Sequence, residues 1–220
     1  MFSFKKLLPV FLLASVGGLL VVSCSGPERH SIDTKSPDLG SIPISSLPRA
    51  IEDGEWTMPG KDAANSRFSG LKQITAGNVG ELKLIWSHST GLKKGHESAP
   101  LVVGDTLYVI TPLPDILMAF DLKSTEGRLK WVYDPHVAPR SAGVACCDVV
   151  NRGGVYSKGK IIYNTLDMHT VAVDAATGKE VWRAALGDIG QGETMTMAPI
   201  VAKGVVIVGN AGGSLALEAG

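Results

Sequence analysis

Several common chemistries lack their residues in this chain. Its five histidines never fall at a two-ligand spacing such as His-x-x-x-His; His88, His96, His136 and His169 stand apart and His30 lies in a polar stretch. No zinc site is indicated. Gly-rich phosphate loops, dinucleotide-binding fingerprints and nucleophile elbows are also missing. Neither sign of charge is in excess, with 21 Lys and Arg against 21 Asp and Glu. Without a basic run or face, the composition argues against nucleic acid as a partner. Helical periodicity is weak after residue 50. Cysteine is scarce: the chain has three, at positions 24, 146 and 147.

The N-terminus reads as an export signal over residues 1–23. Lys5-Lys6 precede a mostly apolar stretch, Leu7 to Val22, that contains Pro9 and Gly17-Gly18. That is a charged region followed by an apolar region too short for an ordinary membrane span. The run Val21-Val22-Ser23-Cys24 resembles a bacterial lipoprotein cleavage box, in which Cys24 would carry the lipid; a plain secretory signal is the alternative. Both place the mature chain in an oxidising space, the periplasm, and the first adds a membrane anchor. Residues 24–50 are rich in Ser and Pro with no apolar period, as expected of a flexible tether. The folded part is expected over 51–220, long enough for one core.

Cys146 and Cys147 are neighbours in the run Ala145-Cys-Cys-Asp148-Val-Val-Asn151-Arg152-Gly-Gly154. Adjacent Cα atoms lie about 3.8 Å apart across a trans peptide, closer than the roughly 4.4–6.8 Å an ordinary disulfide spans. A bond between them would close a small strained ring and add almost no loop-closure stabilisation. The pair alone leaves two readings open, a stiff apolar plate or two buried thiols. Export to an oxidising space favours the first.

From residue 99 onward the sequence repeats itself in short β-rich runs separated by Gly turns. One unit runs Ala99-Pro100 to Ile110, Met118 to Asp121 and Gly127 to Trp131. The next runs Val155 to Tyr163, then Val171-Ala-Val-Asp174-Ala-Ala-Thr-Gly178-Lys-Glu-Val-Trp182, and a third begins at Ala198-Pro199. Trp86, Trp131 and Trp182 close successive units. Four short strands per unit, with an aromatic at a fixed place to fill the space between sheets, is the pattern of a β-propeller blade. The expected fold is all-β, with two to three blades present.

The Ala…Asp…Thr-Gly-Lys…Trp unit resembles the tryptophan-docking repeat of the quinoprotein alcohol dehydrogenases. These are eight-bladed propellers that carry pyrroloquinoline quinone. The resemblance runs from Trp56 to Gly213. It takes in Trp56-Thr-Met-Pro-Gly-Lys-Asp-Ala-Ala-Asn-Ser-Arg67, Gly95-His-Glu97-Ser-Ala-Pro100, the Cys-Cys-Asp-Val-Val-Asn-Arg-Gly run and Gly192-Glu-Thr-Met-Thr196-Met-Ala-Pro199. Within the family it is most similar to the methanol dehydrogenase branch. The resemblance implies a disulfide between Cys146 and Cys147 forming one face of a clamp on the flat cofactor. It also implies Arg152 pairing with a cofactor carboxylate, where a planar guanidinium can make two parallel bonds. Glu97 and Thr196 are implied as hydrogen-bonding partners of the cofactor, and Gly212 and Gly213 as further cofactor-binding residues. Glu193 reads as structural or exposed.

The implied activity is oxidation of a primary, methanol-like alcohol to an aldehyde, with electrons passed to a cytochrome c-type acceptor and a calcium or lanthanide ion beside the quinone. A non-catalytic outer-membrane propeller lipoprotein that assists protein assembly is one alternative. It would need neither the cysteine pair nor the Gly192–Pro199 segment. A glucose-oxidising quinoprotein is another, disfavoured by the cysteine pair.

The match breaks after Gly213. Ser214 stands where the family has a glutamate metal ligand, and a neutral hydroxyl is a poor substitute beside a hard cation. Leu215 to Gly220 also leave the family pattern, as the loss of one base near codon 213 would produce. The family's catalytic base lies beyond residue 220. The expectation is an N-terminal fragment of such an enzyme, inactive alone.

Overall fold

The computed structural model describes residues 54–145 and 148–211. The expected signal, the tether, Cys24, the Cys146–Cys147 pair, Gly212, Gly213 and Ser214 lie outside the described residues. Among the described residues the helices are short 3₁₀ turns, at Val79–Glu81, Pro139–Gly143 and Ile189–Gln191; the rest is strand and loop.

Alternating apolar residues around tight turns give antiparallel meanders. The first sheet runs in chain order through β1 (Leu101–Val103), β2 (Thr106–Ile110), β3 (Leu117–Asp121) and β4 (Leu129–Tyr133). The second repeats it with β5 (Gly154–Ser157), β6 (Lys160–Asn164), β7 (His169–Asp174) and β8 (Glu180–Ala185). A third starts with the hairpin of β9 (Ile200–Ala202) and β10 (Val205–Ile207). Both four-stranded sheets shift register at the same place, between Ala119 and Phe120 in one and between Ala172 and Val173 in the other. The sequence repeat is therefore reproduced down to its irregularities, as two complete propeller blades and the opening of a third.

The second sheet is buried on both faces. Ile161, Tyr163, Val171 and Val173 pack against Leu101, Tyr108, Ile110 and Leu117 of the first. Val155, Ile162 and Ala172 turn the other way, towards Val201 and Val206 of the third and Met58 of the entry segment. Each such side chain contributes about 1.5–3 kcal/mol when fully buried. Two tyrosines tie the sheets in opposite directions: Tyr108 donates to the carbonyl of Ala175 (2.9 Å) and Tyr163 to that of Asp115 (2.8 Å).

The tryptophans do the packing the repeat suggested, and two of them rest on a glycine of the following unit. Trp86 lies over Gly127, and Trp131 over Gly178. The β7–β8 turn that presents Gly178 is built by Asp174. Its carboxylate accepts from the N–H groups of Ala176 (3.1 Å) and Thr177 (2.8 Å) and from the Thr177 hydroxyl (2.8 Å).

The entry segment completes the junction. Trp56 and Val102 exchange backbone hydrogen bonds of 2.8 and 3.0 Å, while Tyr156 N–H donates to the Thr57 carbonyl at 2.7 Å. Residues 56–57 thus lie between β1 and β5.

Candidate functional site

The first strands of successive sheets are neighbours, β1 beside β5 and β5 beside β9. The residues that lead into them therefore converge. Glu97 precedes β1, Arg152 precedes β5 and Thr196 precedes β9. Arg152 Nε pairs with Glu97 Oε2 at 3.2 Å, and its terminal nitrogen donates to Thr196 Oγ1 at 2.6 Å. The backbone repeats the link, with Arg152 N–H donating to the Thr196 carbonyl at 2.9 Å.

The Arg152 and Glu97 side chains are 46% and 49% exposed. An ion pair this open contributes at most about 1 kcal/mol to stability. A guanidinium carries five N–H donors, and those not given to Glu97 and Thr196 take no partner among the described residues. The arrangement is a pre-oriented cationic edge, suited to a planar anion such as a carboxylate.

Gly153 allows the approach. It sits at φ 104°, and a Cβ there would lie 3.3 Å from both the Ala99 carbonyl oxygen and Ser98 Oγ. Gly153→Ala is expected to push residues 97–99 away from Arg152 and to lower stability by about 1–3 kcal/mol, read from thermal unfolding. Ser98 Oγ is buried here without a partner among the described residues. On the rim, Lys94 Nζ lies 3.6 Å from Asp148 Oδ1.

The chain is anchored on both sides of the cysteine pair, since Ala145 packs with the cluster of Val137, Val149 and Leu166. Cys146 and Cys147 themselves lie outside the described residues, as do Gly212, Gly213 and Ser214. The residue that precedes Gly212 is fixed, because Thr194 and Ala211 exchange backbone bonds of 2.8 and 2.9 Å. Glu193 holds the same segment: its carboxylate accepts from Asp188 N–H (2.8 Å) and from the Asn210 amide (3.3 Å). The described residues contain no group of three or more His, Cys, Asp or Glu arranged to hold a metal ion.

Behind the cradle lies a buried polar network that sequence reasoning missed. Asp115 accepts from Leu166 N–H (2.8 Å) and from the Asn151 amide (3.2 Å). Asn151 Nδ2 also donates to the Asn164 carbonyl (2.9 Å), and its Oδ1 accepts from Gly153 N–H (2.9 Å). The Asn164 amide donates to the Met197 carbonyl (2.9 Å), and its oxygen accepts from the Thr170 hydroxyl (2.8 Å). Burial pushes the Asp115 carboxyl up to about 7, against the bonds from Leu166 and Asn151, and the charge of Asp167 adds to the rise. A lone Asp after Leu-Pro gives no sequence signal for this position. The repeat offers one indirect hint, since the Asp115 turn joins the second and third strands of its sheet.

Residues 56–216 match the family model described as "PQQ: Glucose/ethanol/alcohol dehydrogenase, beta-propeller domain". The lanthanide-dependent methanol dehydrogenase of Methylacidiphilum fumariolicum (strain SolV) is 48% identical over 210 residues, covering 90% of this chain and 34% of that protein. Subunit 1 of the methanol dehydrogenase [cytochrome c] of Methylobacterium organophilum is 43% identical over 172 residues, covering 76% and 27%. Among solved structures, a europium-containing methanol dehydrogenase superposes with a TM-score of 0.71 at 48% identity, covering 74% of this chain and 28% of that one. The chain thus spans a minor part of the length of these relatives.

Proposed function

The chain belongs to the PQQ-dependent glucose/ethanol/alcohol dehydrogenase family of β-propellers, and from that premise we propose that it supplies the cofactor-edge cradle of an alcohol dehydrogenase. The observation that carries this reading is the convergence of Glu97, Arg152 and Thr196 from the lead-in segments of three successive blades. Pyrroloquinoline quinone is flat and polyanionic. An exposed guanidinium held on edge by a carboxylate and a hydroxyl, beside the buried Ser98 hydroxyl, fits one of its carboxylates.

In this role Arg152 binds and orients the carboxylate edge, and Thr196 and Glu97 fix the guanidinium plane and offer further hydrogen-bonding groups. The vicinal Cys146–Cys147 disulfide would lay a rigid apolar plate against one ring face, and Gly212 and Gly213 would let the backbone approach closely. When bound, the quinone supplies the two-electron acceptor for alcohol oxidation. A primary alcohol of the methanol type is the proposed substrate, and the names of the relatives support a c-type cytochrome as the electron acceptor. The proposed location is the periplasm, with Cys24 as the lipid attachment point. The calcium or lanthanide ion associated with such enzymes has no complete ligand set among the described residues.

Titrating the full chain with pyrroloquinoline quinone and following the Arg152 Nε–H resonance tests the reading. Saturable shifts at Arg152 and Thr196 are expected, with Arg152→Lys weakening the interaction about tenfold through loss of the paired donors. An Arg152 signal unmoved by the quinone would remove it. In the same preparation, residues 1–220 by themselves are expected to show no cofactor-dependent dye reduction with methanol. Turnover would show that the cradle carries a complete site.

A further inference from the structure

Arg152 stands half in solvent and Thr196 is partly buried, yet the residues beside them are held by groups with almost no exposure. Asp115, Asn151 and Asn164 are 0%, 2% and 1% exposed. Asn151 is the residue before Arg152 and accepts from the N–H of the residue after it. Asn164 holds the carbonyl of Met197, the residue after Thr196. Asn151 and Asn164 are joined to each other, and Asp115 anchors the pair from the β2–β3 turn of the neighbouring sheet. A buried network with each member satisfied fixes one geometry, because any rearrangement strands a polar group out of water.

We propose that Asp115 is a positioning residue for the cradle, setting the Arg152 guanidinium against Thr196 and Glu97 through Asn151. The inference rests on the cofactor-cradle reading for its purpose, though not for its geometry. Asp115 lies away from the proposed ligand edge, so it touches neither cofactor nor substrate. A carboxyl group suits the place because its two oxygens accept from the groups presented to it, Leu166 N–H and the Asn151 amide. The φ of 61° at Asp115 turns its carboxylate back under the loop while its carbonyl receives the Tyr163 hydroxyl. One residue thus binds both the second sheet and the arm that carries Arg152.

The test is amide hydrogen exchange on the full chain without quinone, comparing Asp115→Gly with the unaltered protein. Glycine keeps the positive φ and removes the carboxylate. Exchange at Arg152 N–H and Gly153 N–H should quicken about tenfold, as expected when one buried hydrogen bond is lost. Asp121 N–H and Asp174 N–H, bonded to Arg128 and Lys179 at the far turns of the two sheets, should keep their rates. Asn151→Ser is the second variant; its hydroxyl still reaches Gly153 N–H but not Asp115, and it should give the same pattern. Equal acceleration at all four amides, or no change at Arg152, would overturn the proposal. So would failure of both variants to fold, since a residue whose task is positioning is dispensable for the sheets. Quinone titration of the unaltered chain separates this result from the cofactor reading. Shifts at Arg152 with no exchange effect leave the cradle standing and remove only the role of Asp115.

Discussion

Gly178→Val should destabilise the chain by about 3–5 kcal/mol, combining the strain of a β-branched residue in a left-handed conformation with overpacking. Gly178 has φ 72°, and a Cβ there would fall 2.6 Å from Trp131 Cδ2. The indole cannot withdraw, since it packs against the core between the first two sheets and its ring centroid lies 5.8 Å from that of Tyr108. Its Nε1 has no acceptor among the described residues, so packing alone holds it. Trp131→Ala should cost about as much, through the cavity it leaves. Together they should cost less than the sum, because removing the indole removes the clash. Urea unfolding of the two single variants and the double variant measures this. Strict additivity would mean that the two residues do not act as one contact.

A second large effect is pH-dependent. The Asp115 carboxyl, ordinarily near 3.8, is pushed up to about 7 by burial. Between these values the folded chain holds a proton that the unfolded chain has released. Stability contributed by this group is therefore fully present below pH 4, falls as pH rises to 7 and is flat above. The span corresponds to a loss on the order of 4 kcal/mol. Asp121, Asp174 and Glu180 act in the opposite sense in a lower window. Hydrogen bonds from Arg128, Thr177 and Arg183 respectively hold them below the usual carboxylate range. Burial raises Asp167, but bonds from Thr165, the Ala138 N–H and His169 outweigh it. Stability these four provide is lost only as pH falls through their depressed values. Thermal unfolding from pH 4.5 to 8 should thus show a declining midpoint, and Asp115→Asn, which cannot titrate, should flatten it. A slope that survives the substitution would assign the effect to another group.

The strands were legible because period-two alternation between Gly turns is a local signal. β5 and β6 fall where Val155 to Tyr163 predicts them. The role of Trp131 as packing was legible too, but its partner Gly178 was not, because that contact joins consecutive repeats. Glu97, Arg152 and Thr196 differ in kind. Nothing in their local sequence separates them from surface residues, and only the family resemblance singled them out. The fold supplies the physical reason for their meeting, which is that all three lead into the neighbouring first strands of successive sheets. Asp115 and Asn164 were illegible by either route, since a polar residue near a turn ordinarily faces water and theirs is a burial created by the neighbouring sheet.

The entry segment sets a constraint on the order of assembly. Trp56 and Thr57 leave the ribosome before either sheet exists, yet their hydrogen-bond partners, Val102 and Tyr156, belong to two different blades. Contacts this distant in sequence are slow to form. The first blade can fold as a meander of local hairpins with Trp56 laid on its β1 edge, but the Thr57 carbonyl stays open until β5 has been synthesised and docked. Until then the entry segment presents an unpaired backbone group of the kind that recruits foreign strands. The seam between the blades, begun by a segment made first and completed only when β5 arrives, is where a nascent chain of this family is most exposed to mispairing.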